Sequence, residues 1–145
     1  MSTAIEIFRV TAFDPAQYET VVRLLGQLSP TLPPLTEIAY RTLLDTEATH
    51  LFMLNVGEKP AGMLTVGLYR TPSGAKAWIE DVVVDDASRG HGYGRQLVEY
   101  AIAYARHAGA DTLALTSNPT RIAANALYRS LGFEPYVTNV YKMKF

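Results

Sequence analysis

Between residues 4 and 10, Ile5, Ile7 and Val10 alternate with polar side chains, the period of a half-buried strand. At Asp14-Pro15 the pattern changes. Asp14 can cap a helix start, and proline loses nothing in a first turn whose N–H is unpaired anyway. Tyr18, Val21, Val22, Leu24, Leu25 and Leu28 then share one broad helical face that ends near Ser29-Pro30. The proline-rich run 31–34 disfavours helix and sheet alike, and a second helix over 35–47 is expected to bury Ile38, Leu43 and Leu44. Runs 50–56 and 61–69 around Gly57-Glu58-Lys59-Pro60 predict an antiparallel hairpin. A turn at 71–74 delivers the chain to a central strand ending in the β-branched Val82-Val83-Val84. A long helix runs to Gly109 as its expected C-cap, and a strand over 111–117 follows with Leu113 and Leu115 on one face. Asn118 is placed to cap a short helix that Gly132 ends with Phe133 packing back, and 137–145 reads as a last strand. This order, β-α-α-β-β-β-α-β-α-β, with no repeat or linker, predicts a single mixed α/β domain over 1–145.

With 145 residues and 48% hydrophobic content the chain is long enough for one buried core. A net charge of −1 and a pI near 6.3 give no electrostatic reason to expect nucleic acid or an anionic membrane as partner. The absence of cysteine excludes disulfides, thiolate metal ligands and cysteine nucleophiles. His50, His91 and His107 lie far apart without ligand spacing, so no metal is expected. MSTAIEIFRV lacks the basic and apolar regions of a secretion signal, no apolar run approaches membrane length, and a cytoplasmic protein is expected.

The stretch from Trp78 to Arg106 carries the clearest chemistry. A strand ending at Val84 is followed by the acidic Asp85-Asp86, then Arg89-Gly90-His91-Gly92-Tyr93-Gly94, then the long helix. Strand, glycine turn and helix in that order suit phosphate: glycines let backbone approach the ligand, and free N–H groups at the helix start point at the anion. Arg89 and Arg95 bracket the turn with positive charge. A Walker A loop would need Lys-Ser/Thr after Gly94, where Arg95-Gln96 stand, and a dinucleotide fingerprint would need glycine in place of Arg95. The alternative is a tight turn alone, for which three alternating glycines between two arginines are more than is required.

The pattern R-x-x-G-x-G from Arg89 to Gly94, entered from a strand carrying Glu80-Asp81, resembles the acyl-CoA motif of the GNAT superfamily of N-acetyltransferases. The element order and the terminal Leu131-Gly132-Phe133 turn also match that fold, so the resemblance covers nearly the whole chain. It implies an α/β (mixed α+β) architecture: a central, mostly antiparallel mixed sheet of about six or seven strands flanked by about four helices. It implies acetyl-CoA as co-substrate, with Arg89, Gly90, His91, Gly92, Tyr93, Gly94 and Arg95 at its pyrophosphate. The backbone of Val82, Val83 and Val84 would pair with pantetheine as an added strand and offer an N–H to the thioester oxygen.

In TSNPTRIAANALYRSLGF, Arg121, Asn125, Tyr128 and Arg129 fall on one helical face, and Ile122, Ala123, Ala126, Leu127 and Leu131 on the packing side. By the resemblance, Tyr128 is the general acid that protonates the departing sulfur, against the alternative of a core tyrosine. Asn125 would bond the pantetheine or phosphate end or be a solvated helix-face residue, and Asn118 would cap the helix with or without touching the cofactor. Glu80 and Asp81 are the candidate bases or amine-binding carboxylates. Strand alternation sets Glu80 with Trp78 and Val82, and Asp81 with Ile79 and Val83, unless a bulge intervenes; the resemblance puts Glu80 first. Tyr69, Trp78, Tyr136 and Tyr141 are aromatics that either line the acceptor site or pack internally. The acceptor is expected to be an amine of a small molecule, peptide or protein, and the enzyme a monomer or homodimer. The rival reading is a catalytically silent acyl-CoA sensor.

Overall fold

The strand and helix periods of residues 4–109 are realised with small shifts in their ends. The computed structural model describes residues 4–145, in two compact units, one running to Leu115 and the other Thr116–Phe145. In the first unit β1 (Ile5–Arg9) precedes α1 (Pro15–Leu28) and α2 (Glu37–Asp45). Then come β2 (Thr49–Val56), β3 (Lys59–Thr71) and β4 (Gly74–Val84), a 3₁₀ turn at Asp86–Ser88, α3 (Tyr93–His107) and β5 (Thr112–Ala114). The five strands form one sheet in the order β1-β2-β3-β4-β5. The first three pairings are antiparallel and β4–β5 is parallel. The sheet is mixed and mostly antiparallel, with five strands among the described residues where six or seven were expected.

Local chemistry explains the ends. Asp14 accepts from the Gln17 N–H at 3.0 Å and Thr36 from the Ala39 N–H at 3.1 Å, so both early helices are side-chain capped. At the end of α3 the cap is Ala108, with Gly109 one residue beyond in the left-handed region (φ 85°) and the Ala110 N–H reaching back to the Ala105 carbonyl.

The two faces of the sheet are packed differently. On one, α1 and α2 enclose Val10, Val21, Leu24, Tyr40, Leu51, Met53, Met63 and Val83. Ile38 was expected in this core; it is 79% exposed, and Tyr40 is the residue α2 buries. The reason is an aromatic cluster: the Tyr40 ring packs on Phe13 and Tyr18 at centroid distances of 6.1 and 5.3 Å, which sets α2's rotation. On the other face, Phe52 meets the Tyr100 and Tyr104 rings of α3 at 5.1 and 4.7 Å. Gly62 lets α3 sit close, since a Cβ there would lie 3.0 Å from the Val83 carbonyl oxygen and 3.1 Å from Leu97 Cδ1.

In the second unit α4 (Ile122–Ser130) ends at a turn through Gly132 (φ 100°), with the Phe133 N–H on the Tyr128 carbonyl at 3.0 Å. The last strand expected over 137–145 is not formed; Val137, Tyr141 and Phe145 are exposed, with no sheet partner among the described residues. Likewise the strand expected over 111–117 is limited to Thr112–Ala114, because only those residues find partners on β4. A strand pattern becomes a strand only where an edge accepts it. No described helix is long and apolar enough to cross a membrane.

Candidate functional site

The geometry of β4 decides what the site can do. Val66 pairs with Ile79 and Thr65 with Glu80, but Met63 pairs with Val83, so β4 holds one more residue than β3 across this step. That is a β-bulge, and Asp81 sits in it with φ 52°, the one described non-glycine residue with positive φ. Aspartate is among the few side chains that tolerate this region. The bulge overturns the expected alternation. Glu80 faces with Trp78, as expected, but beyond the bulge it is Val83 that shares Glu80's face, through Thr65 and Met63, while Val82 and Val84 face α3. Both carboxylates remain exposed at the step. Glu80 is held above its ordinary pKa by partial desolvation and then by the Asp81 charge, and Asp81 is raised by desolvation.

The same strand has an open edge. β5 pairs with it only at Lys76, Ala77 and Trp78, so from Ile79 to Val84 β4 has no strand on that side among the described residues. Every second residue of such an edge turns its N–H and C=O outward. Val82, Val83 and Val84 therefore stand where an extended ligand could add as a strand.

Past Val84 the chain enters the glycine turn. Gly90 and Gly92 have φ of 85° and 77°, and a Cβ on either would meet no atom within 4 Å. Their left-handed backbone explains glycine here, and the space above them is clear for a ligand. Gly92 is the N-cap of α3, a cap position with no side chain of its own to bond the helix end. The first N–H groups of a helix have no partner within the helix and point along its axis, away from its body. Arg89 pairs with Asp86 and Arg95 with Glu99, both at 2.9 Å and both exposed, so a phosphate could compete for either guanidinium. The His91 and Tyr93 rings stack at 5.5 Å beside the turn. The residues expected to hold a pyrophosphate and an extended pantetheine arm fit that task in shape and donor chemistry.

One group of residues was not anticipated. Asp85, at the end of β4, is buried and bonded to the Arg23 guanidinium of α1. It also accepts from Gln27 Nε2 at 3.4 Å and from the Ala87 N–H at 3.2 Å, while Gln27 Oε1 accepts from the Asp86 N–H at 2.9 Å. The Arg23 bond holds Asp85 well below the usual carboxylate range. This clamp ties α1 to the first residues of the glycine turn. Its sequence signal is Arg23 and Gln27 at i and i+4 on an otherwise apolar-faced helix; their partner, Asp85, is 62 and 58 residues away.

In the second unit, Tyr128 is buried, its ring against Phe133 at 6.0 Å. Burial raises its phenol pKa, so it stays protonated, and no hydrogen bond from its hydroxyl to a described residue is present. It lies on the buried side of α4, with Leu127 and Leu131 half-buried and Ile122, Ala123 and Ala126 exposed; the expected packing side was therefore partly wrong. Asn118 is not the N-cap of α4, which is Arg121 without a side-chain bond. Its side chain instead accepts from the N–H and hydroxyl of Thr120 at 2.9 and 2.8 Å. Asn125 Nδ2 donates to the Asn118 and Arg121 carbonyls at 2.9 and 2.7 Å, so this amide closes its own turn.

Comparison with known proteins bears on the family and the fold. Residues 18–133 match the sequence model of the Acetyltransferase (GNAT) family. A curated relative, glucosamine 6-phosphate N-acetyltransferase 1 of Oryza sativa subsp. japonica, is 32% identical over 120 residues, 76% of this chain and 70% of its own. A solved structure from Agrobacterium tumefaciens str. C58 superposes with TM-score 0.85 at 25% identity, covering 96% of this chain and 99% of that one. One described as a transcriptional regulator from Bacillus halodurans C-125 gives 0.82 at 28% identity, covering 98% and 100%.

Proposed function

This chain belongs to the acetyltransferase (GNAT) family and is an acetyl-CoA-dependent N-acetyltransferase; from that premise we propose that it acetylates the primary amine of a small molecule, with 1–145 acting as one domain in the cytoplasm. The observation that carries the reading is the glycine-framed start of α3 lying directly after a strand edge that is open from Ile79 onward. Arg89 to Arg95 take the pyrophosphate, and the Val82–Val84 backbone takes the pantetheine arm. Bound acetyl-CoA supplies a thioester carbon open to an amine and a sulfur able to leave. Glu80, with Asp81 beside it, binds the ammonium and takes its proton, and a pKa raised by partial desolvation makes it a stronger base than an ordinary carboxylate. Tyr128 keeps its proton for the sulfur. The local roles of Asn118 and Asn125 favour shaping the turn before α4 over direct contact with acetyl-CoA. The curated relative is named for an amine carried on a sugar ring, which supports a small-molecule acceptor over a protein one.

The test is incubation with acetyl-CoA and a panel of amino sugars, aminoglycosides, polyamines, amino acids and short peptides, read by mass spectrometry. Acetylation of a small amine is expected. Gly92→Glu should abolish acetyl-CoA binding, and Tyr128→Phe should lower turnover by about 10²–10⁴-fold with cofactor affinity kept. Acetylation confined to peptides would overturn the acceptor class, and wild-type turnover in Tyr128→Phe would return that residue to packing.

A further inference from the structure

We propose that the outer half of β4 is a platform for the acceptor and selects an amine whose far end is anionic; this deepens, and rests on, the acetyl-transfer reading above. Lys76, Trp78 and Glu80 alternate along β4 on one face, with Tyr69, Gly67 and Thr65 opposite them on β3. Their orientation is locked, because Ala75, Ala77 and Ile79 are buried on the other face and a flip would expose all three. The apolar cluster under α1 and α2 takes in Leu51, Met53, Met63 and Val83 and does not include these residues.

The middle of the platform is aromatic and held in place. Trp78 Nε1–H donates to the Tyr69 hydroxyl at 2.9 Å, fixing indole and phenol side by side while Tyr69 stays 46% exposed. Gly67, directly opposite Trp78, has no side chain, and a Cβ there would meet nothing within 4 Å. The floor beside the indole is therefore open, which suits a ring or chain lying flat on it.

The ends carry opposite charge. Glu80, reinforced by Asp81, faces an ammonium and repels an anion. Lys76 has no ion pair among the described residues. Four residue steps along the strand separate them, about 13 Å between Cα atoms at about 3.3 Å per residue, and both side chains can lean inward. That span suits a molecule of one sugar ring or a short chain, its amine toward Glu80 and a phosphate or carboxylate toward Lys76. The charge order fixes which end is presented for acetylation.

Trp78 is the single tryptophan, so its emission reports on the platform without any turnover. The full chain would be titrated with two matched pairs: glucosamine against glucosamine 6-phosphate, and hexylamine against 6-aminohexanoate. The anionic member of a pair should half-saturate the emission change at about three- to fivefold lower concentration, the scale of one partly exposed charge pair. Lys76→Ala should erase that ratio, and Lys76→Glu should invert it, with circular dichroism confirming the fold of each. The pair with the larger ratio identifies the body that lies on the rings. Equal responses in the wild type, or a preference surviving in Lys76→Ala, would overturn the proposal. The same ratio in KM for acetylation separates the two readings. Acetylation without anion preference sinks the platform alone, whereas an emission preference without acetylation of any amine sinks the transfer reading alone.

Discussion

The two faces of β4 have the same backbone and opposite characters. Toward α3 the strand presents Ala75, Ala77 and Ile79, all buried, in a layer with Phe52, Leu64, Leu97 and Val98. Toward the other side it presents Lys76, Trp78 and Glu80, none of them buried. Stability is concentrated on the first face and ionisable chemistry on the second. The exchange point is the bulge at Asp81: past it, Val83 enters the α1–α2 core and Val84 turns to α3. The two carboxylates proposed for the chemistry thus sit where the strand leaves one packing environment and has not yet entered the next, with backbone exposed at its edge.

The sharpest way to break this contrast is on the open face. Glu80→Gln should cut turnover by about 10²–10⁴-fold if Glu80 is the base, measured as acetyl transfer under saturating amine. The sign of its effect on stability is the opposite of a core mutation's. Because Glu80's folded pKa is raised, the folded state loses stability as pH rises through that value, so the neutral variant should be no less stable at pH 7. Thermal melts at pH 7 showing marked destabilisation would place Glu80 in the structure rather than the chemistry.

Next in size is the sealed face. Phe52→Ala should lower the unfolding free energy by about 3–5 kcal/mol in urea titrations, whereas Trp78→Ala should change it by about 0.5 kcal/mol or less. Similar losses for both would mean that the two faces are packed alike.

The smallest expected effect falls on the clamp joining α1 to the glycine turn. Asp85→Asn should cost about 1.5–3 kcal/mol at neutral pH, as a buried charge-assisted bond to Arg23 is weakened. Asp85's folded pKa is depressed, so its contribution is present above the ordinary carboxylate range and is lost as pH falls through the lower, folded value. The wild-type and variant stability curves should therefore converge below about pH 4. A raised KM for acetyl-CoA in Asp85→Asn, with kcat kept, would identify the clamp as a positioning device for the turn.

Much of this was legible in the chain because it is written in short-range terms. Asp14-Pro15 starts a helix wherever it is placed, and the alternation of 50–56 and 61–69 yields a hairpin from neighbours alone. The glycine turn was legible for the same reason, since φ at Gly90 and Gly92 is a local property. Misreadings came where a local pattern needed a distant partner. Ile38 has the right character for a core but lost the buried position to Tyr40, whose ring neighbours Phe13 and Tyr18 lie in and before α1. Residues 137–145 alternate as a strand should, yet no described edge receives them.

By itself the sequence determined the element order, the glycine-framed helix start and the carriage of two carboxylates on the strand before it. Only the tertiary structure decided where those carboxylates point, because facing depends on register, and register depends on β3 having one residue fewer than β4 across the step to Val83. It also decided that Arg23 and Gln27 meet Asp85, since a bond across some sixty residues is set by how α1 packs on the sheet and leaves no periodic trace in either segment.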